Sequence, residues 1–82
     1  MKHELKSRPE FFNATWAGAK TFEIRFNDRK FQVHDEVCLQ EWDPKDQEYT
    51  GREIDGFIRY ITDYLQQDGY VVFTFDEIGR RE

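Results

Sequence analysis

The densest group of chemically useful side chains in this sequence lies between Lys20 and Lys30, in "KTFEIRFNDRK". Lys20 leads into an alternating run with Thr21, Glu23 and Arg25 on one strand face and Phe22, Ile24 and Phe26 on the other; Asn27, Asp28 and Arg29 follow directly. Four cations meet two carboxylates over this stretch, a local net charge of +2. The planar guanidinium forks of Arg25 and Arg29 match phosphate or carboxylate oxygens in pairs. Glu23 and Asn27 can exchange hydrogen bonds with the edge of an unstacked base, the usual object of sequence-specific RNA reading. The same residues also suit a solvated strand face, where Glu–Arg pairs contribute only ~0–1 kcal/mol each. Alternation places Phe22, Ile24 and Phe26 towards the core, and leaves the polar face as open surface or as one wall of a site.

Glu41 bears on that choice. In "EVCLQEW" (36–42) it shares a face with Val37 and Leu39, so it points inward and needs a cation, because an unpaired buried charge is very costly. Arg25 or Arg29 is the expected partner. Other chemistries are weakly represented. His3 and His34 are the only histidines, and their spacing fits no metal-binding motif, so no metal and no cofactor are expected. Cys38 and His34 are four residues apart across a loop-to-strand boundary, and Cys38 suits a small apolar packing role better than that of a nucleophile. There is no glycine-rich phosphate loop and no G-x-S-x-G elbow.

The elements that must position these residues follow from patterning. "HELKS" (3–7) alternates weakly and reads as a first strand. Ser7 with Glu10 forms a capping-box pattern and Pro9 suits a first helical turn, predicting a helix over about 8–17. Its buried face carries Phe12 and Trp16, with Phe11 and Thr15 beside it, and Gly18 closes it. Strands follow at 21–26 and 36–42, then a loop over 43–51 rich in Pro, Asp and Gly. A long strand over 52–64 has Gly56 placed for a bulge; Asp68-Gly69 marks a turn, and 70–75 forms the last strand. Five strands and one early helix in 82 residues predict an α+β fold: a small, mostly antiparallel β-barrel with the helix against one side or end.

Composition sets the outer bounds. The chain is short enough for one domain and one modest core, covering 1–82, and its 17% aromatic content supplies large buried rings in the absence of any disulfide. A single cysteine suits a reducing compartment. The N-terminal segment lacks the apolar stretch of a signal peptide and no run approaches a membrane span, so the expectation is a soluble, cytoplasmic protein without a membrane partner. A formal net charge of −5 argues against indiscriminate nucleic-acid binding. That average hides an asymmetry: residues 1–30 carry seven Lys/Arg and four Asp/Glu, whereas residues 31–82 carry five and thirteen. An anionic ligand should therefore meet the N-terminal third.

"WAGAKTFEIR", "VHDEVCLQEWD" and the closing "DGYVVFTF" resemble the ASCH branch of the PUA-like superfamily. More narrowly, "HELKSRPEFF", "GAKTFEIRFNDRKFQVHDEV", "LQEWDP" and "YTGREI" resemble a small bacterial and phage domain family of unassigned function within it. The resemblance spans essentially the whole chain and centres on G-x-K-T-x-E-x-R (Gly18, Lys20, Thr21, Glu23, Arg25), extended by Asn27, Asp28 and Arg29. It implies a PUA-type β-barrel with a cleft beside the helix, lined by this segment and expected to receive RNA or a nucleotide in translation or transcription regulation. Some small bacterial members are instead amidohydrolases that deacylate modified cytidine with a Lys, a Thr and a Glu. Lys20 matches the Lys, but the nucleophilic Thr position, two residues after K-T, is held here by Glu23. His34 stands where such domains usually have Gly before the Asp, which restricts that turn.

Three functional expectations follow. The first is an RNA- or nucleotide-binding module, with Arg25 and Arg29 on phosphate or a base edge and Glu23 orienting Arg25. There Trp42 or Tyr49 offers a stacking face, although both equally suit rim packing. The second is an enzyme acting on an acylated nucleoside, with Lys20 as base or nucleophile and Glu23 or Glu41 as acid/base partner, which Glu23 in place of Thr disfavours. The third is a bacterial or phage accessory domain that meets a basic protein partner through Glu36, Glu41, Asp43, Asp46, Glu48 and Asp55.

Overall fold

The structure, a computed structural model, describes residues 1–82. In chain order it consists of β1 (Lys2–Ser7), α1 (Pro9–Trp16), β2 (Phe22–Phe26), β3 (Glu36–Asp43), β4 (Glu48–Thr62) and β5 (Tyr70–Arg81). The five strands form one sheet in the order β1-β3-β4-β5-β2. In place of the expected mostly antiparallel barrel stands a curled mixed sheet, a half-barrel: β1 runs parallel to β3, and the other neighbours are antiparallel. The sheet curls until its two edge strands, β1 and β2, face each other across an open seam.

Alternation builds the concave core. His3, Leu5 and Ser7 are the buried residues of β1. Val37 and Leu39 on β3, Ile54 and Ile58 on β4, and Phe73 and Phe75 on β5 fill the interior with Phe12 of α1 and Phe31. Trp16 packs against the margin of this cluster. Pro9 occupies the first turn of α1, but the expected capping box does not form: Ser7 is the last, buried residue of β1, and the cap is Arg8, with extended backbone and no side-chain cap bond. Glu10 pairs instead with Arg8 at 3.1 Å. Gly18 closes the helix at φ +81°, as its position predicts.

Two strands outrun their expected limits: β5, expected over 70–75, continues to Arg81, and β4 starts early, at Glu48. The loop predicted over 43–51 shrinks to a turn over 44–47, because Tyr49 and Thr50, both strand formers, continue into β4. The register shifts between Gln40 and Trp42, so Thr50, Gly51 and Arg52 bulge opposite Glu41, with Gly51 at φ +96°. A second shift falls between Asp55 and Gly56, the position expected to bulge, and a third between Ile58 and Tyr60. These bulges bend the 15-residue β4 far enough to serve both halves of the curl.

The largest departure concerns β2. Its apolar face was expected inside, yet Glu23 is 3% exposed whereas Ile24 and Phe26 are each 54% exposed. The register explains the reversal. Glu23 lies opposite Phe73 and Arg25 opposite Val71, both core residues of β5, and directly opposed residues share a sheet face. Across the seam, the outward-turned carbonyls of β1 need hydrogen-bond donors. Arg25 gives one to Lys6 O at 2.9 Å and Arg29 gives one to Glu4 O at 2.8 Å. The polar face of β2 turns inward because it laces the two free edges of the sheet together.

Candidate functional site

At the end of the seam where β1 runs into α1, the edges diverge and leave a cleft of about 500 Å³. Lys6, Ser7 and Arg8 form one wall, Phe11 of α1 closes the end, and Lys20 with Phe22 to Arg25 forms the other. Glu23 lies at its base. Lys20 Nζ donates to one oxygen of Glu23 and, at 2.7 Å, to the carbonyl of Phe22. Arg25 Nε donates to the other Glu23 oxygen at 2.9 Å. One buried carboxylate therefore holds two cations in fixed positions along the cleft wall. Lys6 is held in a different way, its ammonium 4.2 Å from the centre of the Trp42 ring. Four cations line the cleft against this single carboxylate, and Phe11, Phe22 and Ile24 supply apolar surface beside them.

Of the expected site residues, Lys20, Glu23 and Arg25 converge on this cleft. Thr21 does not reach it; it lines a neighbouring depression with Thr15, Arg59 and Asp76, which Lys20 also borders. Asn27 shapes the turn after β2, its Oδ1 accepting from Phe31 N at 2.8 Å. Arg29 is committed to Glu4 O, and Asp28 stands exposed beside it at a smaller depression. Trp42 enters only through Lys6, and Tyr49 sits opposite Trp42 on the β3–β4 hairpin, away from the cleft.

Glu41 is buried, as its strand face predicts, but its partner is neither Arg25 nor Arg29. The β4 bulge aims Arg52 and Thr50 at it: Arg52 donates from Nε and Nη2 at 2.9 Å each, and Thr50 Oγ1 donates at 2.7 Å. The hydrogen bonds from Arg52 hold the Glu41 carboxyl below its ordinary pKa, against the opposing effect of burial. The Arg52 guanidinium in turn lies 5.0 Å from both the Phe12 and Trp16 rings, which ties Glu41 to α1 rather than to the cleft. Part of the acidic 36–55 region is paired in a similar way, whereas Asp43, Asp46 and Glu48 around the β3–β4 turn make no ion pair. Arg81 pairs with Glu53 and Asp55, and Lys2 lies 3.6 Å from Glu36. Cys38 is buried, and burial with the adjacent Asp55 carboxylate pushes its thiol up to about 12, consistent with a packing role. No group of three or more His, Cys, Asp or Glu side chains is arranged to hold a metal ion. No helix is long and apolar enough to cross a membrane.

Sequence reasoning missed Lys6, Ser7, Arg8 and Phe11. Their only signal was position: the strand and helix start expected around Ser7 must bring them near the residues that follow the helix. Residues 2–75 match the family described as Domain of unknown function (DUF3850). The chain belongs to this family. The match covers the cleft-forming part of the DUF3850 domain, from β1 to within β5, and ends before the pairing of Arg80 and Arg81 with their carboxylates. No curated protein matches the chain.

Proposed function

We propose that this DUF3850 domain is an RNA- or nucleotide-binding module of the PUA-like, ASCH type, with its ligand in the seam cleft. The observation that carries the reading is the combination of four cations, one internally satisfied carboxylate and three apolar side chains around about 500 Å³. Phosphate oxygens match the cations, and a base can lie against Phe11 or Phe22. The cleft lies in the cationic N-terminal third of an otherwise acidic chain, so the anion is drawn to one place.

Binding fits the residues better than hydrolysis. Lys20 Nζ is already engaged by Glu23 and the Phe22 carbonyl, so the side chain that hydrolysis would need as base or nucleophile is held in place. Glu41, the other candidate acid/base group, faces Arg52 outside the cleft.

Arg8 is the residue to test, because its side chain is exposed and bonds only to Glu10, so its replacement leaves the core intact. Fluorescence anisotropy with a labelled single-stranded RNA is expected to show affinity falling with salt, with a logarithmic slope of about 0.7 per phosphate engaged. Arg8→Glu is expected to weaken binding about tenfold and to lower that slope. Equal, salt-independent binding by both proteins would reject the proposal.

A further inference from the structure

A sheet with one buried face ordinarily turns polar residues outward. Here the outer face of β2 is apolar at every position: Phe22, Ile24 and Phe26. Phe26 lies opposite Tyr70 of β5, and Thr74 of β5 lies between Phe22 and Tyr60 of β4, so one face continues across three strands. Phe22, Ile24, Phe26, Tyr60 and Tyr70 are between 37% and 60% exposed. The only helix packs against β3 and reaches this face only at its cleft edge, where Phe11 lies across from Phe22 and Ile24.

Size and charge say what this face suits. With roughly 200 Å² for each large side chain, these exposures sum to about 500 Å² of contiguous apolar surface, at the upper end for a monomer. A stable complex buries about 800 Å² per partner, so the patch is small for a self-sufficient dimer and large enough for a short segment. Beyond the Phe26–Tyr70 end, the β4–β5 connection carries Asp63 and Asp68, which border a depression shared with Tyr70. Neither makes an ion pair. At the opposite end, Lys20 lies 5.3 Å from the Phe22 ring centre with its charge met by Glu23. The Tyr70 end of the rim is therefore acidic, whereas the β2 edge borders Arg25 and Arg29 and the cations of the cleft; the acidic end favours a cation.

We propose that this outer face docks a short segment of a partner protein that carries large apolar side chains next to Lys or Arg. The apolar side chains cover Phe26, Tyr60 and Tyr70, and the cation meets Asp63 and Asp68. The surface differs from the acidic 36–55 region, where Glu36, Glu41, Glu53 and Asp55 are paired and Asp43, Asp46 and Glu48 are not. It shares Phe22 and Ile24 with the lip of the seam cleft and is set apart from it by Phe26, Tyr60, Tyr70, Asp63 and Asp68.

The test is selection from a random peptide library displayed on phage against the immobilised full chain, followed by anisotropy with the enriched peptides. Enrichment of aromatic or aliphatic residues with Lys or Arg is expected. Tyr60→Thr, which keeps a strand former at an exposed position, should raise Kd about tenfold. Asp68→Asn should raise it several-fold and reduce its salt dependence, while Arg8→Glu in the cleft should leave it unchanged. No enrichment, enrichment of acidic peptides, or binding indifferent to Tyr60→Thr overturns the proposal. So does loss of peptide binding in Arg8→Glu alone, which would place the peptide in the cleft. Sedimentation velocity over a concentration series supplies a further check: self-association abolished by Tyr60→Thr would give the face to a second copy of the chain and also overturn it.

Discussion

Glu23 and Glu41 meet the same physical demand in two ways. Each is a carboxylate on an inward strand face, where an unpaired charge would cost several kcal/mol. Glu41 is held by a single bidentate Arg52 with Thr50 completing its bonds, and this arrangement fastens α1 to the sheet through Phe12 and Trp16. Glu23 bridges two cations instead, and both face the cleft. Hydrogen bonds from Arg52 lower the pKa of Glu41 from an ordinary 4.5. A depressed folded-state value means the unfolded chain takes up the proton first. The stabilisation is therefore complete above about pH 4.5 and is lost as pH falls through the folded value. Asp35, bonded to His3, and Asp55, bonded to Arg81, have lowered values of the same origin and reinforce the acid loss. Glu41→Gln should cost about 1.5–3 kcal/mol at neutral pH, the usual worth of a hydrogen bond to a charged group. The gap from wild type should narrow as the pH drops below 4.5. Urea unfolding of both proteins across that range checks this, and a pH-independent gap would rule out the Glu41–Arg52 pair as its source.

At the scale of elements, β4 depends on its irregularities. Its bulge at Gly56 brings the backbone so close to β5 that an added Cβ would lie 2.7 Å from Asp76 O and 3.0 Å from a Phe75 ring carbon. A backbone carbonyl cannot move aside as a flexible side chain can, so Gly56→Ala should destabilise by about 1–3 kcal/mol, read as a lower thermal midpoint. An unchanged midpoint would show that the bulge relaxes freely. This glycine was legible in the sequence because it interrupts a strand pattern, and so were the existence and order of the elements, since their signals are local. The facing of β2 was not. Phe22, Ile24 and Phe26 alternate with Glu23 and Arg25, and alternation alone says only that two faces differ. Which face turns inward was decided by register with β5 and by the carbonyls of β1 nineteen residues away from Arg25, information no local window contains. The partner of Glu41 escaped for a similar reason: Arg52 reaches it only because the chain bulges at Gly51. His34 was the converse case. Its place in a tight turn was readable, and it does take φ +79°, a conformation easier for Gly.

For the whole molecule, the seam decides the shape. A five-stranded sheet is left with two edges, and closing them by direct strand pairing would seal the cleft. Arg25 and Arg29 instead span the gap with side chains, binding the free carbonyls of Lys6 and Glu4 while the far end stays open. β1 is the strand that the laces hold, since its backbone ladder runs to β3 alone and its outer carbonyls are the groups that Arg25 and Arg29 bind. Removing one lace should therefore loosen β1 before anything else. Arg29→Met keeps the length and apolar stem of the side chain and deletes the bond to Glu4 O, outside the cleft wall. A lost hydrogen bond of this kind is worth about 0.5–1.5 kcal/mol. If opening of β1 is local, amide exchange of His3 and Leu5 should quicken about 2- to 10-fold, with the amides shared by β4 and β5 nearly unaffected. On the proposed reading, RNA affinity should change little, because Lys20, Glu23 and Arg25 remain in place. Uniform acceleration across the sheet would mean that the seam supports global stability rather than one edge. No acceleration at all would mean that the curl is set by the bulges of β4, with the arginine laces following the shape instead of holding it.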